Sequence, residues 1–305
     1  MEAATQTGQV STAVSKRGKR PARPIGNRHQ HTVRAIYRTL SRAWGRQHWW
    51  PAESPFEVIV GAILVQNTAW TNVERAIANL REAEALRVDA IRTIPPERLE
   101  QLVRPSGYFR QKAARLKEFV RFVDAEFSGS VELMLAMPTE RLREKLLAQK
   151  GIGTETADSI LLYAGQRPIF VVDTYTRRVL ERHDVVRSPD KYDDVRVLVE
   201  IALRSEGWLP NSEGEGLHNG RPGAHSPSAM SNATRPALAQ VFNEMHGLFV
   251  QLGKHFCTKR EPKCDECPLG PMLVQPVVVP SPRRTRGRAS KSPGRASKKP
   301  AKPRV

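Results

Sequence analysis

Along most of this chain apolar residues recur every three to four positions, the spacing that places them on one face of a helix, and this pattern predicts an all-α fold. Leu116, Phe119, Val120, Val123 and Phe127 fall on one such stripe. So do Ala157, Ile160, Leu161 and Ala164, and again Leu238, Val241, Phe242, Met245, Leu248, Phe249 and Leu252. Ser54-Pro55-Phe56-Glu57 reads as a capping box with proline at the first helical position. The run VIVGAIL that follows is apolar all round, which predicts a central, buried helix. Ile169-Phe170-Val171-Val172 has strand character, but four residues cannot build a sheet. The whole pattern predicts about eight to ten helices.

A chain of 305 residues can bury an ample core. Only 39% of it is hydrophobic, however, so part is expected to stay unpacked. The ends are the natural candidates. Residues 1–30 hold six Lys or Arg against one acid, and residues 276–305 hold ten against none. Most of the net charge of +18 therefore sits at the two ends, and the body between them is only mildly basic. The segment RASKSPGRASKKPAKPRV is Ser/Pro/Lys/Arg low complexity, and both ends read as disordered basic tails. A folded domain is expected over 31–275, interrupted by a Gly/Asn/Ser/Pro-rich insertion at about 210–235. No run approaches the about 18 apolar residues of a membrane span. The basic, Ser/Thr-rich N-terminus also lacks the apolar centre of a secretory signal.

One stretch carries a chemical suggestion. Leu146 to Gly153, LLAQKGIG, closes one helix, and Thr154 opens the next, making a hairpin over about 146–164. Gly151 and Gly153 around Ile152 allow a tight turn with outward backbone N–H groups, and the following helix N-terminus adds its dipole. Ile152 would plug the turn into the core. Alone, such a turn is weak evidence and reads first as an ordinary connection between helices. Nineteen residues beyond Thr154 stands Asp173, in Val171-Val172-Asp173-Thr174-Tyr175. By itself that aspartate reads as a helix cap.

In combination, LVRPSGYFRQKAARL (102–116), GIGTETADSILLYA (151–164), VVDTYTRRVL (171–180) and FNEMHGLFVQLGKHFC (242–257) resemble the helix-hairpin-helix DNA glycosylase superfamily that includes endonuclease III. The resemblance runs over roughly residues 33–270 and implies a two-lobed, all-α enzyme of base excision repair. It makes Asp173 the catalytic carboxylate, stabilising positive charge on the sugar as the N-glycosidic bond breaks. It makes Gly151, Ile152, Gly153 and Thr154 a phosphate-binding turn. Bifunctional members carry a lysine in the second hairpin helix that attacks the sugar. Here that position is Glu155, and Lys150 lies before the turn, so the resemblance implies a monofunctional enzyme.

WWP (49–51) followed by SPFEVIVGAILVQNTAW (54–70) is similar to the 3-methyladenine DNA glycosylase III branch. That likeness makes Trp49, Trp50 and Trp70 walls of a base pocket suited to a cationic methylated purine. It makes Gln66 the wedge that fills the gap left by the flipped nucleotide. The alternative for the tryptophans is core packing, though Trp49 and Trp50, adjacent in sequence, are not expected both to face the same core. The implied partner is damaged double-stranded DNA, bound by a monomer with no membrane involvement, in the cytoplasm or nucleoid if the source is bacterial. Two other readings stay open: a bifunctional endonuclease III-type enzyme acting on oxidised pyrimidines, and a non-catalytic DNA-binding module.

The three cysteines lie together, as Cys257-x6-Cys264-x2-Cys267, a placement that argues for a reducing compartment rather than a disulfide scaffold. The spacing matches the first three ligands of the endonuclease III iron–sulfur loop, expected over 257–273, but the fourth position is Leu273. A [4Fe–4S] cluster with another fourth ligand, His255 being nearest in sequence, a Cys3His zinc site, and a metal-free loop all remain open.

The charge distribution yields a test. Each phosphate neutralised adds roughly 0.9 to the slope of log affinity against log salt. Removing the two basic ends is expected to weaken non-specific duplex binding and flatten its salt dependence, read by fluorescence anisotropy. Single-turnover base release at saturating enzyme should barely change. An unchanged salt slope would make the tails inert or docking sites for another protein.

Overall fold

The computed structural model describes residues 26–187, 189–204, 224–274 and 277. Most of both basic ends and residues 205–223, which include much of the predicted insertion, lie outside the described residues. Among the described residues the fold is all-α, with no strand. Twelve α-helices run in chain order: α1 (Asn27–Trp44), α2 (Pro55–Leu64), α3 (Trp70–Glu82), α4 (Val88–Thr93), α5 (Pro96–Val103), α6 (Phe109–Phe127), α7 (Val131–Ala136), α8 (Thr139–Leu147), α9 (Thr154–Ser159), α10 (Thr174–Arg182), α11 (Tyr192–Arg204) and α12 (Ala237–His255). There are more than the periodicity suggested because α4, α7 and α9 have six residues each, too few to show a repeating stripe. α1 begins at Asn27, inside the stretch read as N-terminal tail, so a truncation that spares the helix must end before it.

The helices gather in two groups. α2 to α6 pack mainly on one another, whereas α1, α10, α11 and α12 form the other group, with α1 against α11 and α12 and α10 along α12. α2 also packs on α9 and on the turn that follows it, residues 160–164. Every residue from Phe56 to Leu64 is buried, as its unbroken apolar surface requires. Its start is capped as expected, with Glu57 N donating to Ser54 Oγ at 3.2 Å. Glu57 in turn accepts from Arg81 at 2.7 Å. At its other end Lys112 is buried, and its Nζ donates to the carbonyls of Leu64 (2.8 Å) and Ser106 (2.6 Å). Burial, with the nearby Arg115 charge, lowers this amine to about 8.

The short apolar run Ile169–Val172 is buried but extended, without a strand partner. Side chains replace the missing strand: Phe170 N donates to Glu200 Oε1 at 2.9 Å and Val172 N to the Tyr192 hydroxyl at 3.3 Å. Glu200 is held by Arg196 at 2.9 Å, and Arg196 also meets Asp193 at 3.1 Å. Asp158, fully buried on α9, takes a two-pronged bond from Arg143 at 2.6 and 3.1 Å. Arg143 also donates to Asp193 at 2.9 Å. This ionic network joins α8, α9, α11 and the 169–172 link. Among the described residues no helix is long and apolar enough to cross a membrane.

Breaking a buried ion pair from one side leaves an uncompensated charge. Asp158→Ala is therefore expected to lower the unfolding free energy by about 3 kcal/mol, measured by urea denaturation. A loss within a few tenths of a kcal/mol, the scale of an ordinary surface substitution, would show that the network is dispensable.

Candidate active site

Asp173 is the N-cap of α10. Its Oδ1 accepts from Thr176 N at 2.7 Å, so the carboxylate sits on the positive end of the helix. The other oxygen faces the buried ring of His246 on α12, with Nε2 3.7 Å away. His246 Nδ1 lies 2.6 Å from the hydroxyl of Tyr163. Burial pushes the Tyr163 hydroxyl well above its ordinary range, so it keeps its proton and donates to Nδ1. Burial also lowers the His246 pKa, against the opposing charge of Asp173, which favours the neutral ring. A neutral ring that accepts at Nδ1 carries its proton on Nε2, the atom facing Asp173.

Tyr163 lies in a turn of π-helix, Ile160–Ala164, that continues α9, a local geometry often found at functional sites. The sequence reading missed both residues. Tyr163 and His246 stand 83 positions apart, and only the packing of α12 on the π turn brings them together. A faint signal existed, for His246 is a polar residue inside a strongly apolar helix.

The aromatic residues converge on the same place. Trp50 lies edge-on to Trp70, with centroids 4.8 Å apart, and Trp49 lies 5.3 Å from Trp50 and 5.9 Å from Trp70. Trp50 reaches Tyr163 at 5.0 Å, and Trp49 reaches His246 at 6.0 Å and His225 at 5.2 Å. The expectation that adjacent tryptophans could not share a core is wrong, since Trp49 and Trp50 are each only 4% exposed. They lie in a segment without regular structure, where no helical or strand repeat forces neighbouring side chains apart. Trp70, at the start of α3, is half-buried. Four buried ring nitrogens around this cluster have no hydrogen-bond partner: Trp49 Nε1, Trp70 Nε1, His225 Nε2 and His246 Nε2.

Part of the predicted insertion frames the cluster. Residues 225–230 are laced to the tryptophan segment by bonds from His225 N to Gln47 O (3.2 Å), Met230 N to Ala52 O (2.9 Å) and Ala52 N to Ser228 Oγ (3.2 Å). Gly61 and Gly247 leave room for the segment. A Cβ at Gly61 would come within 3.2 Å of the Trp50 ring, and one at Gly247 within 3.1 Å of Trp49 Cβ.

The hairpin turn adopts the geometry its glycines permit. Gly151 has φ +86°, and a Cβ there would lie 2.5 Å from the Arg115 guanidinium. Ile152 is buried, whereas a Cβ at Gly153 would meet nothing within 4 Å, so that side of the turn is open. Thr154 begins α9 as the sequence indicated. Gln66, just beyond α2, is docked on this turn. Its amide donates to Gly151 O (3.0 Å) and Thr156 Oγ1 (2.9 Å), and its carbonyl oxygen accepts from Arg115.

Two further groups bear on Asp173. Lys254 on α12 couples to its charge, while burial lowers the lysine pKa. The Glu155 carboxyl is pushed up to about 7, first by desolvation and then by the negative charge of Asp173. Glu155 as a residue is exposed, so solvent screens part of both effects.

This arrangement sets a capping aspartate behind a helical hairpin and beside an aromatic cluster. The model described as HhH-GPD superfamily base excision DNA repair protein matches residues 60–203, from α2 through the hairpin and Asp173 into α11. A Methanocaldococcus jannaschii protein named as a DNA repair glycosylase is 37% identical over 235 residues, covering 77% of this chain and 92% of its own. Among solved structures, the 3-methyladenine DNA glycosylase of H. pylori bound to 1,N6-ethenoadenine is 29% identical at a TM-score of 0.55, covering 74% of this chain and 97% of that one. A trapped endonuclease III–DNA covalent intermediate has a TM-score of 0.61 at 20% identity, a likeness of fold, covering 80% and 95%. The chain belongs to the HhH-GPD superfamily of base excision DNA repair proteins. It is a DNA N-glycosylase that binds DNA.

The raised Glu155 pKa makes a signed prediction. The native state holds this proton more tightly than the unfolded chain, so the associated stability is present near pH 4.5 and is lost as pH climbs through about 7. Glu155→Gln should match the wild type in acid and melt at a higher temperature than the wild type above about pH 7. A melting difference that does not vary with pH would refute the assignment.

Proposed function

We propose that the protein hydrolyses the N-glycosidic bond of an alkylated purine in double-stranded DNA, acting as a monomer and leaving the strand uncut. The observation that carries this reading is the unbroken chain of contacts from the tryptophans through His246 to Asp173. Indole faces attract a cationic, alkylated base by stacking and cation–π interaction. Ring nitrogens without partners in the cluster offer that base hydrogen bonds. Trp70, the half-buried ring, is the wall best able to move aside for an entering base.

The chemistry needs little from the protein. A base alkylated to a cation leaves with the bonding pair as a neutral molecule, so no proton must be supplied to it. Positive charge builds on the sugar, and the Asp173 carboxylate stabilises it. Water then adds at C1′ and gives up a proton toward that carboxylate. His246, neutral and anchored by Tyr163, fixes the polar surface beside Asp173. Gln66 serves as the wedge, and its release from the hairpin accompanies insertion into the duplex. Gly151, Ile152, Gly153 and Thr154 present the turn to a phosphate.

The monofunctional reading rests on Glu155, because a carboxylate cannot form the imine needed for strand cleavage. Incubation with methylated, oxidised and uracil-containing duplexes, separating free base from strand breaks, tests the proposal. Methylated purine should be released without breaks. Asp173→Asn should lose on the order of 10²-fold or more in rate while still binding DNA. Full activity in that variant would refute the mechanism. A covalent adduct on borohydride trapping would refute the monofunctional reading, and its loss in Lys254→Ala would identify the amine.

A further inference from the structure

Cys257, Cys264 and Cys267 line one cleft, partly open to solvent, together with Arg182, His183 and Leu273. All three are free thiols, and Cys257 is buried. Two arginines one turn apart on α10 serve this cysteine. Arg182 Nη1 donates to Cys257 Sγ at 3.1 Å. Arg178 holds the backbone, donating to Cys257 O at 2.6 Å and Gly253 O at 3.0 Å. The loop closes on itself through Lys263 N to Phe256 O (2.9 Å) and Gly270 N to Cys267 O (2.8 Å).

His183, the C-cap of α10, lines the same cleft and is only 8% exposed. Its ring is fixed by a hydrogen bond to the backbone of Met272. Its Nδ1 is buried and has no hydrogen-bond partner. The proton therefore belongs on Nε2, toward the Met272 carbonyl, which leaves a lone pair on Nδ1. One ring nitrogen bonded to a carbonyl and the other free is how a metal-binding histidine is held. An orphaned acceptor in an apolar wall is otherwise destabilising. Leu273, in the sequence position of a fourth ligand, has no donor atom. His255, the nearest histidine in sequence, is exposed and does not line the cleft. His183 reaches the site because α10 packs along α12.

The donor set fits a cluster better than a single ion. Zinc draws its ligands to within about 2.0–2.3 Å of one point. Among the described residues no three His, Cys, Asp or Glu side chains converge in that way. A cubane spreads its ligands around a body that needs a cleft of its own. We propose that Cys257, Cys264, Cys267 and His183 Nδ1 together hold a [4Fe–4S] cluster. When bound, the cluster supplies no step of base release. It ties the end of α10 to the loop after α12 and sets the basic segment Lys259–Lys263 in place.

The test uses the full chain, purified without oxygen. The wild type should contain about four iron and four sulfide per chain and show the visible absorbance of a cluster. His183→Ala should lose most of its iron. His183→Cys should keep it, with a lower reduction potential, since putting a thiolate in place of an imidazole lowers the potential. Pulsed electron paramagnetic resonance of the reduced wild type should show a nitrogen coupling that His183→Cys lacks. That readout decides the matter even if His183→Ala does not fold. Protein free of iron and sulfide, protein with one zinc per chain, or a cluster without the nitrogen coupling would each overturn the proposal.

Discussion

The position of the candidate catalytic carboxylate depends on a buried charge. Asp158 sits fully enclosed on the second hairpin helix, and Arg143 grips it from the first. The same arginine reaches Asp193 on α11, and from there Arg196 and Glu200 carry the connection to the backbone of Phe170. One ionic network thus fixes the hairpin, the third helix that braces it and the extended link between them. Asp173 is the next residue after that link. Buried ion pairs often contribute little net stability against an apolar alternative. What this one contributes is geometry, because a link with no ladder of its own is held in a single path.

The site is assembled where that path ends. α2 is apolar on all sides because it has neighbours on all sides, and its C-terminal end, gripped by Lys112, delivers Gln66 to the hairpin. The π turn after α9 places Tyr163 between Trp50 and His246. α12 contributes His246 to the site and, beyond its last turn, Cys257 to the cysteine cleft. A single helix therefore spans the distance between the chemistry and the loop that the proposed cluster would organise.

Much of this was readable in one dimension, where the information is local. The stripes of α6 and α12, the Ser54 cap, the glycine turn and the spacing from Thr154 to Asp173 all involve neighbours within a few turns. What escaped is non-local. Tyr163 and His246 look like residues of two separate helices until those helices cross. His255 seemed the natural companion of the cysteines because it is close in the chain, yet His183, seventy-four residues before Cys257, lines their cleft. Trp49 and Trp50 defied the rule that adjacent side chains diverge, since that rule belongs to regular secondary structure and their segment has none. Glu155 was readable as a missing lysine, but its raised pKa depends first on desolvation in the fold and then on the charge of Asp173.

The stitching of residues 225–230 to Gln47 and Ala52 has an evolutionary side. Connections between helices are where chains most readily gain and lose residues. Here such a connection is fastened by main-chain bonds to the one irregular segment that carries two tryptophans. Lengthening or shortening it would reshape the rim around the aromatic rings and leave the helical frame and its buried ion network untouched. Lesion preference could then drift between lineages through a surface loop, with no substitution at Asp173 or within the core.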